Sequence, residues 1–131
     1  MRHQKSGKKL NRNTAERKSL YRNLITSVIT HNRIRTTESK AKAVKPFLEK
    51  VITMAKKNTD AARRMLSSEV MTDEARNKLN TELVERFKDR PGGYSRILKL
   101  GPRSGDQTKM VYLELLASDH KKEEKKKSKE S

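Results

Sequence analysis

Tyr94-Ser-Arg-Ile-Leu-Lys-Leu-Gly-Pro-Arg-Ser-Gly-Asp-Gln-Thr-Lys-Met-Val-Tyr-Leu-Glu-Leu-Leu116 is two alternating runs joined by a polar loop. Tyr94 to Leu100 and Met110 to Leu116 change sides with period two, the pattern of half-buried strands. Val111, Leu113 and Leu115 fall on the core face of the second run. A parallel crossover needs about a dozen residues or more, and Gly101–Lys109 is shorter, so the two strands pair as an antiparallel hairpin. Arg90-Pro91-Gly92-Gly93 is a strong breaker and separates this hairpin from everything before it.

The chain upstream is patterned for helices. Thr14 is a suitable N-cap, and from Ala15 to about Thr30 the residues Leu20, Tyr21, Leu24, Ile25, Val28 and Ile29 recur at helical spacing. Arg33 to Thr37 is alternating and β-branched, which predicts a short strand. Thr37 before Glu38 opens a second helix to about Lys57, with Ala41, Val44, Phe47, Leu48, Val51, Ile52 and Ala55 on its apolar stripe. Pro46 lies inside it on the side opposite Val44, which predicts a solvent-side kink rather than a break. Asn58-Thr59 caps a short helix from Asp60 to about Leu66 with Met65 and Leu66 inward. Thr72 caps a fourth, from Asp73 to about Phe87, with Ala75, Leu79, Leu83 and Phe87 inward. Asp73 and Glu74 in its first turn and Arg86 and Lys88 at its end suit the helix dipole.

The 131 residues include 33 Lys and Arg against 16 Asp and Glu, a net charge of +17, and only 31% are hydrophobic. Self-repulsion on that scale is relieved by a polyanion. Residues 1–60 hold 16 basic and 4 acidic side chains, so the excess is mostly N-terminal. Within it, Met1 to Asn13 carries Arg2, Lys5, Lys8, Lys9 and Arg12, no acid, and Leu10 as the one sizeable apolar side chain after the initiator. Such a segment cannot offset the entropy of ordering itself in water. Its cations, with His3, Asn11 and Asn13 for sugars or base edges, suit an arm that orders on a nucleic-acid backbone. Arg17 and Lys18 sit where the dipole of the first helix disfavours cations, which a nearby phosphate would repair. The expected organisation is an arm at 1–13, one α+β domain at 14–117, and a charged disordered tail at 118–131.

Other chemistries find little support. Cysteine is absent, which removes disulfides, thiolate metal sites and a Cys nucleophile. His3, His31 and His120 are scattered, and neither a metal nor a cofactor is expected. Glu82, Glu85 and Asp89 lie among basic residues on one helix and are better explained as surface ion pairs than as acid–base catalysts. The Gly101–Lys109 loop lacks the Gly-Lys-Ser/Thr ending of a phosphate loop, yet could set Arg103 and Lys109 against RNA backbone. Gly93-Tyr94-Ser95-Arg96-Ile97 opens like a base-stacking RNA motif without its further aromatics, so binding should rest on phosphate, sugar and shape. A helix-turn-helix over Asp60–Phe87 would present Asp73 and Glu74 to DNA phosphates, which is unfavourable. No apolar run is long enough to span a membrane and the N-terminus lacks a signal-peptide core, so a cytoplasmic location is expected.

Met1-Arg2-His3, Lys5-Ser6-Gly7, Leu10-Asn11-Arg12, Arg22-Asn23-Leu24, Ile34-Arg35-Thr36-Thr37, Lys40-Ala41-Lys42, Gly93-Tyr94-Ser95-Arg96-Ile97-Leu98-Lys99 and Arg103-Ser104-Gly105-Asp106 together resemble the bacterial large-subunit ribosomal protein family L-seventeen. The resemblance covers residues 1–116. It implies a two-layer α+β domain, about four helices on a small mixed sheet. It also implies binding to large-subunit ribosomal RNA beside other ribosomal proteins, near the opening of the peptide exit tunnel, as a monomer and without catalysis. The residues expected at RNA are Arg2, His3, Lys5, Lys8, Lys9, Asn11, Arg12, Asn13, Arg17, Lys18, Arg22, Arg33, Arg35, Arg96, Lys99 and Arg103.

Overall fold

The computed structural model describes residues 13–117. Its elements follow in the order α1 (Thr14–His31), β1 (Arg33–Thr37), α2 (Glu38–Lys57), α3 (Asp60–Glu69), α4, β2 (Ser95–Pro102) and β3 (Lys109–Leu115). Helix α4 is α-helical over Asp73–Lys78 and Val84–Arg86, with π geometry across Leu79–Leu83 between them. The expected arm at 1–13 lies outside the described residues except for Asn13, and the expected tail at 118–131 lies wholly outside them.

Each helix begins where a side-chain oxygen can accept an otherwise orphaned N–H. Thr37, Thr59 and Thr72 cap α2, α3 and α4 by accepting from Lys40, Ala62 and Ala75. The cap of α1 is Asn13 rather than Thr14: its Oδ1 accepts the Glu16 N–H at 2.8 Å. The end of α1 is set by Asn32 and that of α2 by Asn58, both left-handed, a conformation Asn tolerates better than most residues. Pro46 is exposed and α2 runs through it unbroken. Asn32 also accepts from the Leu115 N–H at 2.9 Å, which ties the end of α1 to β3.

The sheet has the order β1-β3-β2 and is antiparallel throughout rather than mixed. Arg33 to Thr37 pair with Glu114 to Met110, and Ser95 to Pro102 pair with Leu115 to Lys109. A bulge between Lys99 and Gly101 inserts Leu100, and Gly101 takes φ +96 there, which a side chain would resist. Tyr94, expected to start the strand, precedes it and is fully buried.

Helix α2 is the hub of the fold, packing on all three strands and on α1, α3 and α4. Its Ala41, Val44, Leu48, Val51, Ile52 and Ala55 meet Ile25, Val28 and Ile29 of α1, Leu79, Leu83 and Phe87 of α4, and Val111, Leu113 and Leu115 of β3. Two expected core residues are not there. Phe47 is 48% exposed and Met65 is 44% exposed. On α3 the Ala62–Leu66 pair faces inward, and Met65, about 100° round the helix from Leu66, is turned outward.

A second function of α2 is to hold the start of β2. Glu49, Thr53 and Lys56 recur at helical spacing and reach the breaker segment. The Glu49 carboxylate accepts from Tyr94 N at 2.9 Å, Ser95 N at 3.0 Å and Ser95 Oγ at 2.7 Å. Lys56 Nζ donates to the Arg90 carbonyl at 2.5 Å and to the Tyr94 hydroxyl at 3.2 Å. Buried backbone donors that the sheet leaves unpaired thus find a charged acceptor.

Candidate nucleic-acid interface

Alternation decides which side chains of the sheet meet solvent. With Val111, Leu113 and Leu115 turned to the helices, the opposite parity faces out: Arg33 and Arg35 of β1, Arg96 and Leu98 of β2, and Tyr112 and Glu114 of β3. The register sets Arg33, Glu114 and Arg96 in one cross-strand row. Glu114 bridges both arginines, through Oε2 to Arg33 Nε at 3.4 Å and through Oε1 to Arg96 Nε. The Arg33 guanidinium lies 3.7 Å from the centroid of the Tyr112 ring. Such exposed contacts add little stability, about 0–1 kcal/mol each. Their consequence is positional: they hold two guanidinium groups on one face before any partner arrives. Arg35 stands in the next row, exposed, beside Tyr112.

Lys99 and Arg103 are set apart from that face. Lys99 is exposed at the bulge, and with Lys109 it adds to the positive field at Glu38. The Glu38 carboxylate is held below its ordinary value first by its hydrogen bond from Lys42 and then by these charges. Arg103 is engaged in the hairpin loop with Asp106. That contact, with the Thr108 N–H at 3.1 Å, holds Asp106 well below the usual carboxylate range and raises Arg103 in return. The charge of Arg103 is therefore partly neutralised locally.

The remaining expected residues gather at the far end of α1. Asn13 is occupied as the cap. Arg17 and Lys18 line a groove together with Lys42 and Lys50 of α2. Arg22 lies 4.0 Å from Glu69 of α3. Fourteen-odd residues of helix separate this end from β1, roughly 20 Å, so the structure divides the cations between two zones. Lys42 and Lys50 were not expected. The signal was available, since Lys42, Pro46 and Lys50 follow one edge of α2 at intervals of four. Arg2, His3, Lys5, Lys8, Lys9, Asn11 and Arg12 lie outside the described residues.

Base stacking on the sheet finds no open ring among the described residues. Tyr94 is buried against Phe87, with centroids 5.0 Å apart, and Tyr112 is covered by Arg33. Among the described residues no group of three His, Cys, Asp or Glu could hold a metal ion, and no helix is long and apolar enough to cross a membrane.

Comparison with known proteins gives a consistent result. The family model described as Ribosomal protein L17 matches residues 20–116. A curated relative, the large ribosomal subunit protein bL17 of Koribacter versatilis (strain Ellin345), is 49% identical over 119 residues, covering 91% of this chain and 74% of the relative.

Proposed function

Because this chain belongs to the ribosomal protein L17 family, a structural ribosomal component and not an enzyme, we propose that it stabilises folded ribosomal RNA in the large subunit through two basic zones. One is the outer sheet face with Arg33, Arg35 and Arg96. The other is the N-terminal end of α1 with Arg17 and Lys18, continued by the arm residues Arg2, Lys5, Lys8, Lys9 and Arg12, with His3 and Asn11 bonding to sugars or base edges. Lys99 and Arg103, set apart from that face along the hairpin, add further phosphate contacts. The single α+β domain at 14–117 acts as the platform that fixes where the arm starts. Its place would be near the outer opening of the exit tunnel, beside neighbouring large-subunit proteins, in the cytoplasmic ribosome.

The observation that carries this reading is the Arg33–Glu114–Arg96 row with Arg33 set over Tyr112. Two guanidinium groups fixed on a solvent face, without an open ring between them, suit phosphates at a set spacing rather than bases. Such binding reads shape. It therefore prefers folded RNA to a duplex of other geometry. The test is titration of the full chain with a large-subunit ribosomal RNA fragment and with DNA duplex of equal length at one salt concentration. Clear preference for the RNA is expected; equal affinity would overturn the reading.

A further inference from the structure

We propose that the groove between α1, α2 and α3 is a docking site for an apolar segment with acidic flanks from a neighbouring protein. This rests on the reading that the chain sits beside other proteins in the subunit. The groove is about 670 Å³. Its floor is built from Tyr21, Ile25, Phe47, Val51, Met54 and Met65, and its rim carries Arg17, Lys18 and Lys50, with Lys42 paired to Glu38 at 2.9 Å and Glu69 as the one acid of the lining. Phe47 and Met65, two of the few large apolar side chains left exposed among the described residues, both open into it. Methionine on such a floor adapts to differently shaped apolar partners.

Charge and composition select the occupant. A second copy carries the same net charge of +17 and is repelled. Residues 1–12 carry five cations and no acid, so they meet like charge there. Residues 118–131 have acids but no Ala, Val, Leu, Ile, Met, Phe, Tyr or Trp to fill the floor. RNA would satisfy the rim but less of the floor: Tyr21 and Phe47 take up one face of each other's ring, centroids 5.1 Å apart, and the rest of the floor is aliphatic and thioether surface. A protein segment with apolar anchors and flanking Asp or Glu satisfies both. The groove lies in the helix layer, away from the outer sheet face; it borders the α1 zone at Arg17 and Lys18, and Lys50 on its other side is left for the protein segment, so RNA on the sheet face and protein in the groove can be held together.

The probe is a dye-labelled amphipathic helical peptide with Leu along one face and Glu along the other, titrated into the full chain at physiological salt. The parent chain is expected to bind it. Phe47→Ser combined with Met65→Ser should weaken binding roughly tenfold or more, and Lys50→Glu should weaken it as well. Phe47 and Met65 are exposed, so the double variant keeps the core intact. Arg64→Glu, an equal charge change off the groove, should leave peptide affinity within about twofold. A peptide with Ser in place of Leu should lose most of its affinity. Equal binding of the Ser peptide, or undiminished binding by the double variant, would overturn the proposal by showing mere charge attraction. So would displacement of the peptide by a single-stranded RNA oligonucleotide whose own binding falls in the same double variant. The double variant should keep the parent's affinity for ribosomal RNA. Failed docking with intact RNA binding faults this proposal alone, and lost RNA binding with intact docking faults the RNA reading alone.

Discussion

Glu49→Ala tests the mechanism that joins the helix layer to the sheet. The carboxylate accepts two backbone N–H groups and one hydroxyl, all from Tyr94 and Ser95, which are 0% and 6% exposed. Removing it leaves two buried N–H donors without an acceptor, at about 1–3 kcal/mol each, while the Ser95 hydroxyl can rotate to another partner. Water entering the space left by the shorter side chain recovers part of that loss, so the expected destabilisation is about 3–4 kcal/mol. For a chain of this size each kcal/mol lowers the midpoint by about 4 °C, giving roughly 12–16 °C. Glu49→Gln keeps one acceptor oxygen and should lose about half as much. Thermal and urea denaturation followed by far-UV circular dichroism measure the change. Hydrogen exchange at Tyr94 and Ser95 locates it. A Glu49→Ala protein within about 1 kcal/mol of the parent, or with those two amides still fully protected, would refute the reasoning.

Leu48→Ala, at a fully buried position in the core, should cost about 3–5 kcal/mol. Leu24→Ala, half-buried at the edge of the core, should cost about 1–2 kcal/mol; equal losses in urea denaturation would contradict the burial order. Pro46→Ala restores a backbone N–H in the middle of α2 at an exposed position, and should stabilise by about 1–3 kcal/mol. A lower midpoint would show that Pro46 supports the helix in some other way. Glu114→Gln releases Arg33 and Arg96 from the carboxylate that fixes their spacing and should weaken binding to ribosomal RNA; tighter binding in a filter or anisotropy assay would mean that the added charge matters more than their fixed positions.

The elements themselves were legible because local chemistry determines them. Thr37, Thr59 and Thr72 each precede a helical stripe, and all three are caps. Val111, Leu113 and Leu115 alternate, and all three are buried. The misplaced cap of α1 had a sequence signal: Asn13 stands three residues before Glu16, the spacing of a capping box, and Thr14 does not. The π turn in α4 had one too. Ala75, Leu79, Leu83 and Phe87 are four apart, and in a regular α-helix each step overshoots by about 40°, or about 120° in all. A wider turn absorbs that excess and keeps all four inward. What local pattern could not give is tertiary. The place of β1 beside β3 depends on contacts across most of the chain. The exposure of Phe47 depends on where Tyr21 of α1 lies. The candidate cations were recognisable from composition, but only the strand register shows that Arg33 and Arg96 share Glu114.

The central claim is that phosphates of folded RNA are neutralised by the arm as well as by the body. It is tested most directly by the slope of log affinity against log salt for a ribosomal RNA fragment. Each phosphate neutralised contributes roughly −0.7 to −0.9. Replacing Lys5, Lys8, Lys9 and Arg12 with Ala should therefore flatten the slope by roughly 3 while far-UV spectra remain those of the folded parent. An unchanged slope would contradict the account, and would leave the RNA surface to Arg33, Arg35, Arg96, Lys99 and Arg103.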